Sequence, residues 1–269
     1  MPVAYRAFWL PKQDSRSSDY QDAFWPFGSD SSRTVWGSRF VLSDGATEGA
    51  FSRLWARLLA LTFCNFSLDV TAHDGQSLSA FQNKTLELAQ TWERRVISPS
   101  LPWYALEKAS RGAFATLAIL TLVDSPGDWG RGRWHSLAIG DTCLAHVRDG
   151  QICRWFPLES PDSFGNRPLL LSSREDANRL VWAEWQSLWS EGEWQIGDRF
   201  LMMTDALAHW SLTQQQSGDP WPALQAATES AETFADWVNA ERNKGALRDD
   251  DVTLLVISME PDRELPSAI

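Results

Sequence analysis

Four aspartates stand at the lips of apolar runs: Asp44 closes "FVLSDG", Asp205 closes "FLMMTDA", Asp250 opens "DDVTLLVI" and Asp141 interrupts "LAIGDT". One such Asp is an ordinary turn residue, because its side chain caps its own backbone. Several together pose a different problem. Carboxylates that converge in space repel and raise each other's pKa unless a cation sits among them. Hard divalent cations, Mg²⁺ or Mn²⁺, take oxygen ligands and keep several waters. The constellation therefore reads as a metal site.

The elements that must position these aspartates follow from periodicity. "VAYRAFWL" is expected to be an edge strand, and "TVWGSRFVLSDG" a second strand ended by Asp44-Gly45. In "TEGAFSRLWARLLALTF" the residues Phe51, Leu54, Trp55, Leu58 and Leu59 recur at the spacing of one buried helical face, with Thr47 as N-cap. Residues 78–95 and 103–111 also read as helices, and "AFATLAILTLVD" as a strand. "WHSLAIGDTCLAHVRDGQICRWFP" is expected to hold two strands joined at Asp149-Gly150, a pair suited to a two-residue turn with positive φ. A less regular region over 157–195 precedes the strand that ends at Asp205, one or two helices over 221–243, and a last strand entered through Asp250. Strands and helices come in blocks, which favours an α+β fold. With no internal repeat or linker, residues 1–269 are expected to form one domain.

Composition removes several function classes. A net charge of −11 opposes binding to a phosphate backbone, so no nucleic-acid partner is expected. No stretch approaches the roughly 18 apolar residues of a membrane span, and no leader is visible; a cytoplasmic location without membrane association is expected. Cys64, Cys143 and Cys153 are too scattered for a zinc site or a disulfide framework. Among 16 tryptophans, Trp182, Trp185 and Trp189 could share a helical face; core packing is the expected use, a sugar platform the alternative.

Taken in order, "QDAF", "SDGATEG", "AFATLAIL", "AIGDTCLAHVRDGQI", "GDRFLMMTDAL" and "RDDDVTLLVI" resemble the metal-dependent protein serine/threonine phosphatases of type 2C (the PPM family, bacterial type), over about residues 17–258. The resemblance implies a four-layer αββα sandwich, two mainly antiparallel β-sheets flanked by helix pairs. It also implies two Mn²⁺ or Mg²⁺ ions, with a weaker third, and hydrolysis by metal-activated water. Carried over by motif, Asp44 bridges both metals and Gly45 adds its carbonyl. Asp205 and Asp250 hold the first metal, Asp22 the second, and Asp141 the third. Asp44 and Asp205 are then the catalytic pair, acting through metal-bound water, and no separate cofactor-binding residues are implied. The implied substrate is a phosphoprotein, with regulation supplied by a partner protein.

Departures from the pattern are informative. Gln21 replaces an acidic residue, so the second metal is expected to bind more weakly. Ser17 stands where a phosphate-gripping arginine is usual, with Arg16 one residue away. Asp251 replaces a common Asn and is expected to favour metal occupancy. His73, His135 and His209 are candidate general acids, each with a structural alternative. The Trp-rich stretch 180–194 falls where related enzymes vary the flap and is expected to shape substrate choice. The function expected is phosphoserine/phosphothreonine hydrolysis; the alternative is a catalytically silent phosphatase-like binding module. Clustered carboxylates favour the first, because a silent protein has no reason to keep them.

Overall fold

Strands and helices follow one another in blocks, and the long strands sort into two packed sheets. The structure, a computed structural model, describes residues 3–16, 19–26, 33–35, 39–46, 51–66, 69, 73–97, 102–125, 127–128, 130–165 and 167–260. In chain order these form β1 (Val3–Leu10), β2 (Ala23–Trp25), β3 (Arg33–Val35), β4 (Arg39–Ser43), α1 (Ser52–Asn65), α2 (Gly75–Val96), α3 (Trp103–Ser110), β5 (Phe114–Ala115) and β6 (Leu117–Asp124). There follow β7 (Arg131–Ile139), β8 (Cys143–Arg148), β9 (Gln151–Phe156), β10 (Leu171–Ser172), α4 (Arg179–Ala183), β11 (Trp189–Gln195), β12 (Arg199–Met203), α5 (Asp205–Gln215), α6 (Trp221–Ala227), α7 (Ala231–Asn243) and β13 (Val252–Met259). The first sheet has the order β3-β1-β13-β12-β8-β9, the second β11-β7-β6-β4-β2, and β10-β5 form a small ladder. The paired strands run antiparallel.

Alternation along the strands shows why four layers result. In β13, Leu255 and Ile257 face the other sheet while Val252, Leu254 and Val256 face helices; in β4, Phe40 and Leu42 face inward and Val41 outward. Strands buried on both faces read as continuous apolar runs. Val41, Leu117 and Ile139 pack under α1 and α2 through Trp55, Leu59, Phe81 and Trp92. Leu201, Met203 and Leu254 pack under α5, α6 and α7 through Leu207, Leu224, Phe234 and Val238. The expected αββα sandwich is present.

Several local expectations change. β1 is not an edge strand, because β3 pairs beyond it. "TVWGSRFVLS" supplies two strands to different sheets rather than one, β3 beside β1 and β4 beside β2 and β6. Helix α1 begins at Ser52, and Phe51 is its N-cap residue in the left-handed region, 40% exposed rather than on the buried face; Thr47 lies outside the described residues. The segment around Asp141 holds three strands, since β7 belongs to one sheet and β8 to the other. Asp141 therefore marks a crossing between sheets rather than an interruption. The turn between β8 and β9 is as expected, with φ 52° at Asp149 and 76° at Gly150.

The tryptophans at 182, 185 and 189 do not share one helical face, for α4 gives way to a 3₁₀ turn and then β11. They serve the core, as expected. Trp185 is buried with its ring 5.1 Å from that of Phe81, and Trp182 and Trp189 pack on the same cluster. The stretch thus links α2 to the edge of the second sheet through these rings, while Leu180 stays exposed. Among the described residues no helix is long and apolar enough to cross a membrane.

At the start of β12 the buried Asp198 accepts hydrogen bonds from Arg148 Nη2 at 2.7 Å, Arg148 Nε at 2.9 Å and the Gln195 amide at 2.9 Å, with His146 Nε2 3.0 Å away. Burial pushes this carboxyl up, but Arg148, His146 and Gln195 outweigh it and hold it at about 2. A lowered folded pKa means stability that is present above the unfolded value and lost as pH falls through the folded one. Asp198→Asn should cost about 1–3 kcal/mol at neutral pH, because the buried carboxylate gives up its charge-assisted bonds to a partly exposed Arg148 and to His146. The gap from the parent should close between about pH 4 and pH 2. Urea unfolding followed by tryptophan fluorescence across that range measures it.

Candidate functional site

One end of the sandwich gathers the aspartates, and strand register is what gathers them. Ala23 pairs with Ser43 between β2 and β4, so the next residues outward, Asp22 and Asp44, stand opposite each other. In the other sheet Met203 pairs with Leu254 and with Cys143, so Asp205, Asp250 and Asp141 lie just beyond the same end of β12, β13 and β8.

Backbone contacts fasten these loops. Past the end of β4, Thr116 N–H donates to Asp44 O at 2.8 Å, Asp44 N–H to Thr116 Oγ1 at 2.9 Å and Ala46 N–H to Phe114 O at 2.9 Å. Thr116 Oγ1 lies 2.6 Å from Thr142 Oγ1, which ties the Asp44 loop to the residue after Asp141. Gly45 is required by crowding: a Cβ there would lie 3.0 Å from the Gln21 carbonyl and from the Ser52 backbone. The first motif docks on β13. Thr253 Oγ1 donates to Asp22 Oδ2 at 2.5 Å and also meets the Tyr20 hydroxyl.

The Asp251 carboxylate accepts the backbone amides of Lys12 at 3.0 Å and Gln21 at 2.7 Å, so it holds the first motif in place, and its charge also acts on Asp22.

The aspartates share one electrostatic field. Burial pushes the Asp44 carboxyl well above the usual range, and the charges of Asp22, Asp205, Asp141 and Asp250 push it further. Burial raises Asp22 to about 8; Thr253 pulls it back while Asp251 and Asp205 add to the rise. Asp141 rises to about 6 through burial and then Asp205. Asp205 is raised by burial, opposed by Arg248 and reinforced by Asp250.

Among the described residues no three His, Cys, Asp or Glu side chains close on one point. Like charges spread onto the donors within reach. Asp205 leans on its own helix through Ala206 N–H at 2.6 Å and on Arg248 at 3.2 Å, and Asp250 accepts the Asp251 amide at 2.9 Å. Asp22 Oδ1 and Gln21 Oε1 are buried and have no hydrogen-bond partner among the described residues. An acceptor-only oxygen left without a donor, inside a field of further carboxylates, suits a hard cation.

The histidines divide. His135 sits 3.2 Å from Glu191 on the neighbouring strand, and the charges that act on it come from Glu191, Arg133, His73 and Asp69, none of them in the cluster. His73 stacks on Trp189 with ring centroids 4.5 Å apart. His209 lies one turn after Asp205 on α5, meets Phe164 edge to face, and is lowered by burial and then by Arg248. Arg16 is exposed, and it is absent from the charges that act on the aspartates.

Sequence reasoning missed Arg248, the Thr116–Thr142 pair and the Thr253 clasp on Asp22. Only Arg248 had a signal, as the lone cation before the acidic run "DDD".

No family model and no curated protein sequence matches the chain. Solved structures do. The photosystem II phosphatase PBCP is similar at 15% identity and TM-score 0.58, covering 96% of this chain and 99% of that one. The Mycobacterium tuberculosis serine/threonine phosphatase PstP/Ppp is similar at 17% identity and TM-score 0.57, covering 97% and 100%. The catalytic domain of the serine threonine protein phosphatase PstP, in complex with 2 manganese ions, is similar at 15% identity and TM-score 0.54, covering 96% and 99%. The similarity runs through both sheets and their flanking helices, and this chain has the fold of the type 2C (PPM) serine/threonine phosphatases.

Proposed function

We propose that this protein is a metal-dependent phosphoprotein phosphatase acting on phosphoserine and phosphothreonine, with residues 1–269 as one catalytic domain. The observation that carries the reading is the field shared by Asp22, Asp44, Asp141, Asp205 and Asp250, drawn from both sheets to one end of the fold. Two Mn²⁺ or Mg²⁺ ions would be held by Asp22, Asp44, the Gly45 carbonyl, Asp205 and Asp250, with Asp141 available to a weaker third. The chemistry such ions supply when bound is acidification of a water and neutralisation of phosphoryl charge.

The chain's own residues do the positioning. Thr116 and Thr142 fix the backbone that presents Asp44 and Asp141, and Thr253 orients Asp22 through one oxygen while leaving the other toward the cluster. Arg248 steadies Asp205 and contributes positive charge beside it. A cysteine nucleophile is not needed and not poised: burial raises the Cys143 thiol and the Asp141 charge adds to the rise, so it stays protonated.

Hydrolysis of a phosphoserine peptide should appear with Mn²⁺ or Mg²⁺ and vanish in EDTA, with Mn²⁺ the better activator. Binding of the phosphopeptide without release of phosphate under any metal would instead identify a silent binding module.

Asp44→Ala and Asp205→Ala should each lower turnover by about a hundredfold or more. Because removing one carboxylate relieves repulsion, metal-free Asp44→Ala should unfold in urea no more easily than the parent, and about 1 kcal/mol less easily at neutral pH. Turnover at the parent level in either variant would refute the site.

Gln21→Glu should lower the half-activating Mn²⁺ concentration about 3- to 10-fold with little change in maximal rate, since a carboxylate offsets ionic charge where an amide cannot. Coincident activation curves for the two proteins would place position 21 outside the metal shell.

A further inference from the structure

Beside the aspartate cluster, between β1, β2 and the outer face of α1, lies a groove with a cavity of about 320 Å³. Asp22 lines it, so the groove adjoins the proposed catalytic centre at that residue. Its walls are aromatic. Trp9, 41% exposed, packs on Tyr20 with ring centroids 5.0 Å apart, and Trp25 closes another side. Ala60 contributes a small buried surface and Leu61 an exposed one.

Arg53 and Arg57 also line it, one helical turn apart on α1 and so on one face. Arg57 is exposed, and among the described residues no acidic side chain pairs with it. Partial burial and then the nearby charge of Arg53 lower its guanidinium. In a chain of net charge −11, an arginine pair on an apolar groove is a local exception with a clear complement: a carboxylate next to a large apolar side chain.

We propose that this groove is a substrate subsite: it takes the residues that flank the phosphorylated serine or threonine, a large apolar side chain in the cavity and an acidic side chain on Arg57, at the exposed end of the groove. The substrate class is thus a phosphoprotein whose phosphosite neighbours are apolar and acidic. The inference rests on the phosphatase reading, because only a phosphoester held at the aspartate cluster places its neighbours in this groove. Burying one large apolar side chain from water gives a preference of about tenfold or more.

The test uses the full chain with Mn²⁺ and two fluorescent peptides. Both carry a non-hydrolysable phosphonate analogue of phosphoserine, one with Phe and Glu on either side of it and the other with Ala and Ser there. Anisotropy should show the first peptide binding about tenfold more tightly or better. Arg57→Glu and Leu61→Gln, both at exposed positions, should each close most of that gap. Equal affinity for the two peptides, or a gap untouched by both substitutions, would overturn the subsite. Phosphate release from the phosphoserine forms of the same peptides reads the parent assignment separately. Release without a preference refutes the groove alone, and a preference without release refutes the phosphatase reading alone.

Discussion

Gathering negative charge at one end of a protein is unfavourable, and here the cost is met mainly by backbone and hydroxyl contacts rather than by counter-charge. Arg248 touches the cluster through the Asp205 carboxylate, and Arg242 Nη2 donates to the Asp250 backbone carbonyl. The rest of the positioning comes from strands whose ends cannot move: β4 is paired on both sides, and so are β12 and β13. Burial, and after it the charges of neighbouring carboxylates, raises the protonation of Asp22 and Asp44 instead of pushing the loops apart. A rigid scaffold that holds groups in an arrangement they would not choose is the physical condition for a preorganised site.

That rigidity comes from double burial. Each central strand is packed on one face by the other sheet and on the opposite face by a helix pair, so shifting a strand by one residue would expose an apolar set on both sides. Register is thereby strongly specified, and register is what sets Asp22 across from Asp44 and Asp205 beside Asp250. The interlayer core, with Phe40, Trp134, Phe200 and Leu255, thus acts on the site although none of its atoms is there. The network of His146, Arg148 and Asp198 ties down the far end of β12 in the same way.

Asp251 shows how a residue beside the cluster also takes on a positioning task. Its two oxygens take the amides of Lys12 and Gln21, which closes the first motif onto the last strand. The segment that carries Asp22 is thus held by the strand next to Asp250, and the two halves of the cluster are mechanically one. The groove lined by Trp9, Tyr20 and Arg57 forms along this same seam, where β1 and β2 diverge into different sheets.

The amino-acid sequence by itself determined the elements and the chemistry available to them. Apolar runs with an Asp at the lip marked β4, β12 and β13, and the Asp149-Gly150 pair marked its turn. These are local properties, set by side-chain type, φ preference and periodicity, and they survive without knowledge of the partners; the αββα sandwich was implied by the resemblance of the motifs to type 2C phosphatases, not by local chemistry. Tertiary structure alone decided which strands share a sheet: that β3 and β4 separate, that β7 and β8 lie in different layers, and that β1 is not an edge. It alone turned Asp251 toward two backbone amides, brought Arg248 to Asp205, and left His135 beside Glu191, away from the cluster. The physical reason is common to all of these. A hydrogen-bond partner or a charge at close range is chosen among residues tens to hundreds apart in the chain, and only the packing of both sheets specifies which of them meet.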